Sequence, residues 1–291
     1  MPHGRSARWP SPSTMSRNST PPSFPYSKAS HFLLPSPSVM PIITMLTDFG
    51  TTDPYVGELR GVLLSRAPGV TLVDLTHDLS PGNIPAAAYI LGRAWAQFPE
   101  DTIHLVVVDP GVGTRRRAIA FELSNHLFVG PDNGVFTALP GLDDATVVEL
   151  PVLESAAPTF HGRDVFAPAA AALARGKALS TLGPPFEGSL IRFQTAEVRR
   201  DEQKVTGVVV YVDRFGNLLT NLSGSDVAGC TGIEVSGQTA GPVRNTFGDV
   251  PPGGSVVYVG SGGTVEIAVR EGSAARRFDA GVGSRVRAVF A

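Results

Sequence analysis

Two aspartates stand at the ends of stretches that read as parallel strands, Asp48 after "TMLT" and Asp109 after "LVVV". In an open α/β sheet the carboxyl ends of the strands are where ligands bind, at the point where strand order reverses. An aspartate there is equally suited to capping a turn or a helix, and both readings are open. Asp109 opens the segment "DPGVGTRRR", which ends in Arg115, Arg116 and Arg117. At least two of these arginines read as a solvated basic turn. The segment resembles a phosphate cradle but lacks the Lys-Ser/Thr of a P-loop and the full G-x-G-x-x-G spacing. The first strand runs on into "DFGTTDPYVG" rather than a Gly-rich turn opening a helix, which argues against a Rossmann methyltransferase. A Ser-His-Asp hydrolase is excluded for want of a G-x-S-x-G elbow. What remains is an acid and a guanidinium held close together.

Two further clusters carry polar side chains of the right kind. In "TFHGRDVFAPAAA", His161 precedes an Ala-rich helix for which Asp164 is the expected N-cap. In "DRFGNLLTNL", Asp213, Asn217 and Asn221 surround a Gly turn, suited either to binding a base or an amino acid or to a plain hairpin loop. His77, His104 and His126 read as structural. None of the six histidines pairs with an acid at the i, i+4 spacing of a helical zinc site, and a single cysteine, Cys230, rules out a Cys-rich one. No metal and no cofactor are expected.

These residues need elements to hold them. "IITMLTD", "VTLVDLTH" and "TIHLVVVD" read as strands, separated by the helices "DPYVGELRGVLLSRAPG" and "IPAAAYILGRAWAQF". Shorter strands follow ("AIAFEL", "LFVGP", "TVVEL"), then a helix from Val165 to Gly176. Near-continuous apolar strands between amphipathic helices imply an α/β domain with a mostly parallel sheet covered on both faces. Beyond about residue 190 short strands punctuated by Gly, Pro and Asn indicate a smaller all-β, barrel-like domain. The expected organisation is an α/β domain over 40–190 and a β domain over 203–291, with the boundary between 185 and 205.

The 291 residues carry a formal net charge of −2, so nothing marks a nucleic-acid partner. No apolar run reaches the roughly 18–20 residues that cross a bilayer. With one cysteine, a soluble protein of a reducing, cytoplasmic compartment is expected. The first 39 residues hold ten serines, eight prolines, four basic residues and no acid. Such a segment cannot bury enough apolar surface to offset its ordering entropy, so disorder is expected. It reads either as an organellar transit segment or as a start assigned upstream of Met40.

Seven stretches, "TDFGTTDPYVGELRGV", "DLTHDLSPGNIPAAAYIL", "VVVDPGVGTRRR", "FVGPDNG", "TFHGRDVFAPAAA", "DRFGNLLTN" and "GSGGTVEIAVREGSAA", occur in an order that resembles the S-adenosylmethionine hydroxide adenosyltransferases. These are relatives of the enzymes that make adenosyl chloride and adenosyl fluoride. The resemblance covers essentially Met40 to Ala291. It implies an N-terminal α/β domain, a C-terminal β domain, a homotrimer with its site between subunits, and no metal. It implies attack of water or hydroxide on the 5′ carbon of S-adenosylmethionine, releasing adenosine and L-methionine.

Carried over by motif, the catalytic set falls on Asp109, Arg116 and His161. The ribose-binding acid falls on Asp48, the adenine-binding asparagine on Asn217, and the acid near the methionine amino group on Asp213. Ser261 matches a residue near the methionine end, and Ala274 lies in the adenine-facing turn. Arg270 stands where relatives commonly carry asparagine, a departure that bears on the adenine pocket. The resemblance also implies that halogenating relatives lack an acid at the position of Asp109, so its presence favours water over halide. A non-catalytic module that binds S-adenosylmethionine or adenosine would carry the same binding residues. For the hydrolytic reading, Arg116 and His161 are expected to stabilise developing hydroxide while Asp109 orients it, with a neutral His161 available to take the proton.

Overall fold

The computed structural model describes residues 40–291, so the expectation for the first 39 residues lies outside the described residues. The chain builds one six-stranded sheet from β1 (Ile42–Thr47), β2 (Thr71–Thr76), β3 (Ile103–Val107), β4 (Ala118–Leu123), β5 (His126–Pro131) and β6 (Thr146–Glu149). Their order is β2-β1-β3-β5-β4-β6. Pairings β1/β2, β1/β3 and β3/β5 are parallel, whereas β4 runs antiparallel to both neighbours. The sheet is therefore mostly parallel, as the sequence pattern implies. β1 lies between β2 and β3, so the order reverses beside the carboxyl ends of β1 and β3, immediately before Asp48 and Asp109.

Helices cover both faces. Helix α1 (Tyr55–Arg66) buries Val56, Leu59 and Leu63, spaced three and four residues apart on one face, and ends before Pro68 and Gly69. Helix α2 (Ile84–Ala94) is started by Asn83, whose Oδ1 accepts the Ala86 N–H at 3.1 Å. Helix α3 (Ala167–Ala174) packs against α1 through buried alanines. One apolar core lies between the sheet and α1/α3, with Leu59, Leu63, Val107, Phe166 and Ala170. A second lies on the α2 side, where Phe121 and Phe128 stack at 4.8 Å.

The carboxyl-terminal part is a second sheet. It comprises β7 (Arg199–Arg200), β8 (Lys204–Val212), β9 (Leu218–Ser223), β10 (Gly232–Val235), β11 (Gln238–Gly241), β12 (Val243–Arg244), β13 (Ser255–Val259), β14 (Thr264–Val269) and β15 (Arg285–Val289). The order is β11-β10-β15-β8-β9-β14-β13-β12, with β7 beside β8. The long strand β8 makes the corner: its first half pairs with β15, its second with β9, across an irregularity at Val209–Tyr211. β11 returns to β13, where Ser255 Oγ donates to the Ala240 carbonyl at 2.7 Å, so the barrel nearly closes. A short helix, α4 (Ala274–Phe278), follows β14. Tyr89 of α2 stacks on Tyr211 of β8 at 5.0 Å, joining the two sheets.

The histidines read as structural have partners. His104 is fully buried, with Nδ1 2.8 Å from Thr44 Oγ1 and Nε2 3.1 Å from His126 Nδ1. Burial and the neighbouring His126 push the His104 pKa down to about 3 from 6.5. Below pH 6.5 the unfolded chain therefore takes up a proton that the folded chain refuses. Stability is expected to fall by about 1.4 kcal/mol per pH unit from this residue as pH drops from 6.5 toward 3. Urea titrations at pH 7.5 and 5.0 should show this loss, and His104→Gln should flatten it.

Candidate active site

Beyond β3 the chain turns sharply, with the Val112 N–H on the Asp109 carbonyl at 3.2 Å and the Thr114 N–H on the Gly111 carbonyl at 3.1 Å. Gly113 has φ +76° and lies so close to Pro158 that a β-carbon would sit 2.7 Å from its carbonyl oxygen. Only glycine lets this turn close against the segment leading to His161. The turn brings Arg116 back onto Asp109. Arg116 Nε lies 2.8 Å from Oδ1 and 3.0 Å from Oδ2, and Nη2 also donates to Oδ2. The same Nη2 is 3.0 Å from His161 Nδ1. The guanidinium lies 5.1 Å from the Phe166 ring centroid, and the Arg116 and Asp109 side chains are only 8% and 5% exposed.

His161 is placed by an irregular helix start. Residues Gly162–Phe166 form a π-helical turn, closed by the Ala167 N–H on the Gly162 carbonyl, and α3 continues from it. A β-carbon at Gly162 would lie 3.1 Å from Val107 and 3.3 Å from Phe49, so glycine seats the turn directly on β3. Asp164 is not the helix N-cap expected from the sequence. It lies inside the π-helical turn, accepts the Ala157 N–H at 2.9 Å and pairs with Arg163. The extra residue per turn displaces the helix start, so the capping pattern does not apply.

An arginine only donates, so His161 Nδ1 must accept, and the neutral ring carries its proton on Nε2. Burial, then the Arg116 charge, lowers the His161 pKa below its usual 6.5. The ring is thus neutral near pH 7 and presents a donor. This corrects the expectation that His161 takes a proton, because the nitrogen able to accept is already occupied. Arg116 Nη1 is buried with no hydrogen-bond partner among the described residues. An unmatched guanidinium donor of this kind calls for an anionic or strongly polar ligand atom.

The second acid, Asp48, lies at the carboxyl end of β1, and its Oδ2 accepts the Gly82 N–H at 2.7 Å. Gly82 in turn abuts Pro110, next to Asp109. Arg117 is not part of a solvated turn, as two of the three arginines were expected to be. It pairs with buried Asp132 at 2.6 Å and stacks over Phe186 at 4.1 Å. Among the described residues Arg115 alone of the three has no hydrogen bond or ion pair. Asn133, not singled out in the sequence, donates to the Val108 carbonyl at 2.9 Å, just before Asp109.

The remaining residues lie on the β sheet. Asp213–Asn217 is the β8–β9 turn: Asp213 Oδ1 accepts the Phe215 and Asn217 N–H groups, and Oδ2 accepts Asn217 Nδ2 at 2.8 Å. The Ala275 N–H reaches the Gly216 carbonyl at 2.9 Å, which sets Ala274, at the start of α4, against this turn. Asn221 is spent on the fold, bonded to the Val208 N–H and the Ala196 carbonyl. Arg270 donates to the Val250 carbonyl at 2.9 Å. Ser261 accepts from Arg93 of α2 at 3.0 Å. No hydrogen bond or ion pair among the described residues joins Asp213, Asn217, Ser261, Arg270 or Ala274 to Asp48 or to the Asp109–Arg116–His161 cluster.

An α/β sheet with a buried Asp–Arg–His cluster at its switch point, followed by a nearly closed β-barrel, defines a two-part protein with polar residues clustered on each part. The chain belongs to the S-adenosylmethionine (SAM) hydroxide adenosyltransferase family: residues 43–183 match its N-terminal domain and residues 207–287 its C-terminal domain. It is 47% identical to an (R)-S-adenosyl-L-methionine hydrolase of Thermus thermophilus over 80% of this chain and 93% of that protein. It is 29% identical to a fluorinase of Actinopolyspora mzabensis over 85% of this chain and 96% of that one. A solved structure from Thermotoga maritima, titled an uncharacterized conserved protein, superposes with a TM-score of 0.78 at 34% identity, covering 84% of this chain and 98% of that one.

Replacing Arg116 by Gln removes the cation beside His161 and leaves Asp109 facing it. The imidazole pKa should rise from its lowered value, read by NMR titration of the ring protons. If it stays at the parent's value, burial alone sets it.

Proposed function

We propose that this chain hydrolyses S-adenosyl-L-methionine to adenosine and L-methionine by in-line attack of water or hydroxide on the 5′ carbon. The observation that carries this reading is Arg116, clamped between Asp109 and His161 with a buried Nη1 that has no partner among the described residues. A sulfonium is already a good leaving group and needs no acid or metal to depart, so the site is read as metal-free and cofactor-free. Making the nucleophile is the difficult part. Water has a pKa near 15.7 and a free aspartate about 3.9, so full proton transfer beforehand would cost on the order of 16 kcal/mol.

Asp109 therefore orients the water and does not take its proton beforehand; it accepts that proton as the C5′–O bond forms, when the bound oxygen has become strongly acidic, and passes it to solvent. Arg116 Nη1 and His161 Nε2–H are the donors available to a water oxygen as it takes on hydroxide character, a charge that is spent as the C5′–O bond forms and the C5′–S bond breaks. Alignment in a water-excluding site contributes up to about 7–11 kcal/mol. Asp48, whose Oδ1 accepts no hydrogen bond among the described residues, suits the ribose hydroxyls. In this reading Asp213, Asn217, Ser261, Arg270 and Ala274 serve the adenine and methionine ends. The lack of any hydrogen bond or ion pair between these residues and the catalytic cluster, among the described residues, fits a homotrimer in which the β part of one subunit completes the site of the next. The chain acts in the cytoplasm, without nucleic-acid or membrane partners; among the described residues no helix is long and apolar enough to cross a membrane.

Incubation with S-adenosylmethionine in oxygen-18 water should give adenosine two mass units heavier at the 5′ hydroxyl. The relatives' name specifies a configuration, so both sulfonium epimers belong in the assay. Unlabelled adenosine, or 5′-chloro-adenosine formed with added chloride, would refute the hydrolytic reading. Arg116→Ala should lower kcat by about 10²- to 10³-fold, the order of loss when one donor to an anionic oxygen is removed.

A further inference from the structure

Asp48 is held in a turn that one buried histidine grips from both sides. His77, 4% exposed, places Nδ1 2.8 Å from the Oγ1 of Thr47, the residue before Asp48. Its backbone carbonyl accepts the N–H of Gly50, two residues after Asp48, at 2.8 Å. Thr47 Oγ1 accepts the Phe49 N–H at 3.3 Å, so its own hydrogen is free to go to His77 Nδ1. The ring then carries its proton on Nε2, which lies 3.1 Å from Asp74 Oδ1 without the alignment of a hydrogen bond, and Asp74 is bound in turn by Arg60. Gly82, in the same loop as His77, holds Asp48 Oδ2. The carboxylate is thus oriented by a chain of contacts from Arg60 through Asp74, His77 and Thr47, and its Oδ1 accepts no protein hydrogen bond among the described residues.

We propose that His77 is a positioning residue for substrate binding: it fixes the Thr47–Gly50 turn so that Asp48 Oδ1 meets a ribose hydroxyl. This rests on the reading of Asp48 as the ribose-binding acid and assigns the residue that orients it. A hydrogen bond to a charged group depends steeply on alignment, so a loosened turn costs affinity only for ligands that carry the hydroxyl. A residue that merely supports the fold would affect all ligands alike.

The test compares adenosine and 2′-deoxyadenosine as competitive inhibitors of the parent, Asp48→Asn, His77→Leu, Thr47→Val and the His77→Leu/Thr47→Val double variant. His77→Leu should raise the inhibition constant of adenosine about five- to tenfold and leave that of 2′-deoxyadenosine within about twofold, the loss of one aligned hydrogen bond. Thr47→Val should do the same, and the double variant should do no more, because both break one link. His77→Asn, whose amide oxygen accepts where Nδ1 does, should restore the preference for adenosine. If Asp48→Asn lowers that preference and His77→Leu does not, the positioning role is wrong and the ribose reading stands. If Asp48→Asn has no effect, the ribose reading itself falls and takes this role with it. Equal weakening of both nucleosides by His77→Leu would reduce it to a structural residue.

Discussion

The guanidinium of Arg116 is the constraint around which the N-terminal part is arranged. It spends two nitrogens on Asp109 and shares one of them with His161, which leaves Nη1 without a partner among the described residues, in a nearly dry place. Burying such a group is costly unless its hydrogens are matched, so the pair with Asp109 is what makes the position tolerable at all. The same pairing decides the chemistry of the histidine. With Nδ1 taken, His161 becomes a donor, and the cluster offers two donors and one acceptor to whatever stands before it.

Sheet topology and helix irregularity converge on that cluster. Strand order reverses between β1 and β3, the kind of place where the loops of an open sheet diverge around a ligand, and Asp48 and Asp109 follow those two strands. The Asp109–Arg116 turn closes only because Gly113 tolerates the carbonyl of Pro158 beside it. Asp132, pinned by Arg117 and accepting the Ile191 N–H at 2.7 Å, ties the segment leading to the barrel back onto β5. Of three consecutive arginines, one serves the site, one fastens the chain and one faces solvent. Neighbours in sequence thus have unrelated duties because the turn points them in different directions.

Much of this was legible in the residues. Apolar runs and three-to-four spacing locate β1 to β3, α1 and α2, since burial on both faces imposes that pattern. The antiparallel β4 was not, because parallel and antiparallel strands covered on both faces share one composition. The grouping of Asp109, Arg116 and His161 came from ordered motifs; charge spacing alone leaves Arg116 and Arg117 indistinguishable. Arg117 reads as solvated in the sequence because its partner, Asp132, is brought to it only by β4–β5 pairing. His77 reads as structural because a lone histidine carries no periodic or spacing signal, and its contact with Thr47 exists only once β1 and β2 pair. The π-helical turn likewise leaves no mark in composition.

That turn has a consequence for how the chain tolerates change. One residue advances a regular helix by about 100°, and the widened ring at Gly162–Phe166 absorbs such an increment between His161 and the alanines that pack on β3 and α1. Deleting any single residue there would let the helix relax to regular geometry. Either the imidazole would then swing away from Arg116 or the alanine stripe would leave its seat. Point changes at this place are local matters, whereas a shift of register propagates, so chain length between 161 and 167 is itself a fixed property of the site.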